Sequence, residues 1–108
     1  MQSTPDDAIE FIYANSNKYA KAKADRIFLE NFRQSKKALL MNQSDEKAVN
    51  AREQVAYASK EYIEVLEGLR EAVEIEETLK WQLTAAQARI EVWRTESANN
   101  RNQDRAMR

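Results

Sequence analysis

The residues best equipped for chemistry are seven glutamates at positions 61, 64, 67, 71, 74, 76 and 77. Glu64 and Glu67, Glu71 and Glu74, and Glu74 and Glu77 stand three apart. On a helix each pair shares a face one turn apart, where two carboxylates can hold magnesium. A nucleotide hydrolase built on such pairs needs a second acidic pair on another helix, facing the first, and the other segments offer none. The glutamates therefore read as a solvated acidic face, with nucleotide hydrolysis a distant third reading. A second set, Tyr19, Lys23, Arg26, Arg33 and Lys37, recurs at helical spacing. Cations in that pattern track a nucleic-acid backbone, and the ring of Tyr19 can stack on a base. The net charge of −1 argues against strong non-specific binding to DNA.

Other chemistry is excluded by composition. The 108 residues contain no histidine and no cysteine, so zinc and haem sites, thiol nucleophiles, disulfides and histidine bases all lack their groups. The expectation is a protein with no cofactor, no metal and no catalytic residue. No 18-residue apolar stretch and no N-terminal apolar run is present, which predicts a cytoplasmic protein without a membrane partner.

The elements that must position these side chains are helices. One glycine, Gly68, and one proline, Pro5, leave most of the chain without strong turn signals. Thr4 before Pro5, with Asp6 and Asp7 following, predicts a helix start. Asn15-Ser16-Asn17 offers side chains that compete with the helical backbone and predicts a kink or short break. Over residues 18–41, Ala20, Ala24, Ile27, Phe28, Asn31, Phe32, Ser35, Ala38 and Leu39 fall on one face at 100° per residue, which predicts the core face. The basic stripe then lies opposite, in solvent. Asn42-Gln43-Ser44-Asp45 predicts a turn with Ser44 as N-cap, followed by a helix over 45–58. Ser59 either caps a fresh helix or continues the same one.

The strongest pattern runs from about residue 60 to 98. Tyr62, Val65, Leu69, Ala72, Glu76, Leu79, Leu83, Ala86, Ile90 and Trp93 alternate steps of three and four, a period of 3.5 that requires a supercoiled partner. Such a helix is roughly 58 Å long, against about 36 Å for residues 18–41. The overhanging apolar end needs cover, either from the 45–58 helix or from another subunit, and Glu76, Leu79, Leu83, Ala86, Ile90 and Trp93 are the candidate seam for such a subunit. Trp81 and Val92 lie off that seam, as a contact surface or beneath the first helix. With 16 alanines, the core is expected to be a thin seam between helices. The predicted architecture is all-α, an elongated antiparallel hairpin or bundle with a long coiled-coil-like C-terminal helix: one domain over 1–98, and a polar, frayed tail over 99–108.

Charge is sorted along the chain. Residues 18–37 carry seven bases and two acids, and residues 59–77 carry two bases and seven glutamates. This predicts that the two segments complement each other, within or between subunits, and that Glu76 fixes register by pairing with a base on the facing helix.

The run KYAKAKADRIFLENFRQSKKALLM at 18–41, the Tyr62 to Leu69 stretch ending in Glu67-Gly68-Leu69, and AAQARIEVWR at 85–94 together resemble a family of small uncharacterised all-helical proteins of tailed bacteriophages and prophages. The resemblance implies an accessory role near phage recombination and replication, and it assigns no functional residue. The expected function is a non-catalytic, phage-like interaction module in a DNA-processing assembly, with itself and another phage or host protein as partners. The alternative is a single-stranded DNA-binding accessory protein using the stripe of residues 18–37.

Overall fold

The computed structural model describes residues 4–107, which form three helices: α1 (Pro5–Gln43), α2 (Val49–Ala58) and α3 (Lys60–Ala106). The fold class is all-α. Among the described residues no helix is long and apolar enough to cross a membrane.

Helix α1 begins as its sequence dictates. Thr4 Oγ1 accepts from the Asp7 N–H and Asp7 Oδ2 accepts from the Thr4 N–H, each at 3.1 Å, a reciprocal capping box with aspartate in the third position. The expected break at residues 15–17 does not occur. Asn15 donates to the Phe11 carbonyl at 2.8 Å, and the Ser16 hydroxyl donates to that of Ile12. These side chains back-bond one turn up the helix instead of diverting the chain. The 39 residues of α1 span about 58 Å, considerably longer than the expected 36 Å.

The turn after α1 is longer than expected. Ser44 Oγ accepts from the Glu46 N–H at 3.2 Å, which closes a local turn, and α2 starts at Val49 behind Ala48, whose side chain caps nothing. At Ser59 the chain leaves the helical region, with φ −71° and ψ 147°. There Ser59 Oγ accepts from the Tyr62 N–H at 3.2 Å and caps the start of α3. Of the two readings of Ser59, the fresh start holds. Helix α3 runs 47 residues to Ala106, so the segment expected to fray from residue 99 continues the helix, exposed along nearly all of its length.

Contacts cluster into two compact units. One joins the chain up to Tyr19 with the chain from Thr78 onward, and the other comprises Ala20–Glu77. Each has a thin core. In the first, Ala8 on α1 and Ala86 on α3 are buried; in the second, Ala22, Ala56, Tyr62, Ala72 and Glu76 are. No large side chain is fully enclosed among the described residues. Alanine at these positions lets helices approach closely, and it leaves the larger apolar residues only partly covered.

Candidate interaction surface

Which face of α1 meets α3 decides where its functional side chains go. The covered row on α1 is Ala8, Ile12, Asn15, Tyr19, Ala22, Arg26, Leu29, Arg33, Lys36 and Leu40. Its steps of four and three match the period of the row on α3. This reverses the face expected from the apolar residues of 18–41. Ala20, Ala24, Ile27, Phe28, Asn31, Ser35, Ala38 and Leu39 are exposed, and only Phe32 of that set is half-buried.

The basic stripe correspondingly turns inward. Arg26 grips Glu76 on α3 with two nitrogens: Nε donates to Oε2, and Nη2 donates to Oε1 at 3.0 Å. Nη1 donates to Glu30 at 3.1 Å. These hydrogen bonds, to Glu76 first and then Glu30, raise the guanidinium above its ordinary pKa and hold it charged. Glu76 is only 7 % exposed and occupies a seam position, so its charge is stabilised by that fork. Lys37 lies with Nζ 4.6 Å from the centre of the Tyr57 ring on α2 and 3.5 Å from Glu53. The Tyr57 hydroxyl, then the Glu53 charge, raise its pKa against the opposing effect of desolvation. Tyr57 meets Tyr62 edge-on at 5.2 Å. Tyr19 and Arg33 are half-buried, and Arg33 lines a recess with Lys37, Tyr57 and Tyr62. Of the five residues proposed to follow a phosphate backbone, Lys23 alone is exposed. The geometry brings together a base-to-acid clasp between helices and no continuous cationic track.

The row on α3 faces α1 of the same chain. In the unit from Thr78 onward, Ala86 is buried, and Leu79, Leu83 and Ile90 are half-buried. Trp93 departs from the row and is 49 % exposed. Trp81 is exposed, with Lys80 Nζ 5.7 Å from its ring centre. Val92 lines an open groove with Ala8 and Phe11 of α1. The acidic pairs on α3 point to solvent, and among the described residues no three carboxylates converge to hold a metal ion.

What the inversion leaves outside is an apolar edge on the Ala20–Glu77 unit. Phe28 is 64 % exposed and stacks on Phe32 at 5.8 Å with 10° between the rings. On α3, Ile75 is 56 % exposed and lines the same groove as Phe28. Between the helices runs an open groove of about 320 Å³, lined by Ala22, Asp25, Phe28 and Leu29 of α1 and Gly68, Glu71, Ala72 and Ile75 of α3. Sequence reasoning singled out Phe28 and assigned it to the core; Ile75 it did not single out. The signal that could have corrected the face is Glu76, because a carboxylate in the seam of α3 demands a base in the facing row, and Arg26 supplies it.

The chain matches no family model, and no curated protein and no solved structure is similar to it.

Proposed function

We propose that this chain is a non-catalytic helical interaction module, acting as a phage-like accessory factor in a DNA-processing assembly in the host cytoplasm. The carrying observation is the apolar edge of exposed Phe28 and Ile75 with half-buried Phe32. Solvent-facing positions of a paired helix ordinarily hold charged residues, and a clustered apolar surface at such positions marks a docking site. The phage and DNA-processing setting rests on the family resemblance of residues 18–41, 62–69 and 85–94. The binding role rests on the apolar edge.

A photoreactive amino acid placed at position 28 tests the reading in the cells that produce the protein. Position 74, an exposed glutamate site on α3, serves as the control. Adducts with a polypeptide are expected from position 28 and not from position 74. Equal adducts from both, or none from either, would remove the docking surface and the proposal with it.

A further inference from the structure

We infer that the apolar edge of the Ala20–Glu77 unit is a two-fold interface with a second copy of this chain, in which α1 of each copy lies against α3 of the other. This rests on the interaction reading above and names its partner. Two observations converge on that occupant.

The first is charge. Residues 18–37 carry seven bases against two acids and residues 59–77 the reverse; outside the inward clasp of Arg26 with Glu76, Lys18, Lys21 and Lys23 of α1 and Glu61, Glu64, Glu67, Glu71, Glu74 and Glu77 of α3 are exposed. Two copies can meet edge to edge with like helices adjacent or with unlike helices adjacent. Only the second arrangement sets a basic helix beside an acidic one, and like-charge juxtaposition is disfavoured.

The second is shape. Phe28 and Gly68 line opposite walls of the same groove, Phe28 on α1 and Gly68 on α3. A two-fold axis parallel to the helices keeps every residue at its own level while exchanging α1 and α3 neighbours. It therefore sets the α1 wall that carries Phe28 in each copy against the α3 wall that carries Gly68 in the other. Gly68 is an open notch: a Cβ built there meets nothing within 4 Å. The one glycine in the chain, costly inside a helix, leaves room on that wall for an apolar side chain of the other copy.

The result is a four-helix arrangement whose adjacent pairs are all antiparallel.

Sedimentation of the full chain across micromolar concentrations tests this, with circular dichroism to confirm folding. The wild type is expected to dimerise. In a single copy the Cβ of Gly68→Leu meets nothing within 4 Å and helix propensity rises, so the variant is expected to keep the helical content while weakening the dimer about tenfold or more. Because the chain has no cysteine, single-cysteine variants report orientation. Asp25→Cys in one chain is expected to form a disulfide with Glu71→Cys in another, whereas Asp25→Cys chains alone are not expected to link, since facing α1 helices lie beyond disulfide reach. A dimer indifferent to Gly68→Leu, or Asp25→Cys chains that link to one another, would overturn the arrangement. A monomer at every concentration overturns the second-copy inference as well. If position 28 then still captures a different polypeptide, the interaction module stands without it; if it captures nothing, both fall.

Discussion

Glu76 sits where a heptad row ordinarily carries an apolar side chain, and its charge is tolerated because Arg26 reaches it with a two-pronged hydrogen bond. Removing one member takes the fork away from the other in a thin, partly covered seam, whereas replacing both with apolar side chains restores a simple apolar contact. Glu76→Ala is therefore expected to lower the melting temperature by several degrees. Arg26→Met with Glu76→Leu is expected to melt at or above the wild type. A denaturant titration of the two single variants and the double closes the cycle, and additive losses would show that the pair is not coupled. The same fork fixes how α1 and α3 slide past each other, so the single variants should also broaden the unfolding transition.

At the scale of the elements, the sequence is clear where spacing alone decides and misleading where composition competes with it. The row on α3 from Tyr62 to Ile90 is legible because its period of 3.5 is sustained over many turns, and the structure buries or half-buries each of these residues. The Thr4-Pro5 start is legible because a cap is local chemistry. On α1 the covered row contains Arg26, Arg33 and Lys36, and a reading that sends charge outward and apolar residues inward turns the helix by half a revolution. Arginine and lysine stems carry several methylenes, so they can lie across a seam and send only their heads to an acid or to water. The longer continuity of α1 was hidden for a related reason: whether Asn15 and Ser16 divert the backbone or bond back along it is settled by the packing of the neighbouring turns, which sequence does not display. The cap at Ser59 gives this scale its own test. Ser59→Ala removes the acceptor for the Tyr62 N–H and is expected to cost about 1 kcal/mol in urea unfolding. Ser59→Asp, which restores an acceptor beside the positive end of α3, is expected to recover most of it. A loss shared equally by both variants would point to the hydroxyl's bond to the Ala56 carbonyl instead.

For the whole molecule, the question is whether its sorted charge is turned to itself or to nucleic acid. The seven bases of residues 18–37 are the densest cationic stretch in the chain. Arg26 is held by Glu76 and Glu30, Lys37 by Glu53 and Tyr57, and Lys21 by Asp25 at 2.9 Å. Cations already matched to carboxylates release few counterions on meeting a phosphate backbone, and counterion release drives sequence-independent binding. The acidic outer surface of α3 adds a repulsion that low salt strengthens. A fluorescently labelled single-stranded oligonucleotide is accordingly expected to show no rise in anisotropy even at ~50 mM salt, where phosphate contacts are strongest. Glu76→Gln sharpens the test, because it frees the Arg26 fork without adding a positive charge. If DNA binding depended on that guanidinium, the variant would bind more tightly than the wild type and with a steeper salt dependence. Wild-type binding that falls steeply between low and moderate salt would instead make residues 18–37 a nucleic-acid contact despite their inward turn, and would place α1, with its outward Phe28 and inward Arg26, between a protein partner on one side and a phosphate backbone on the other.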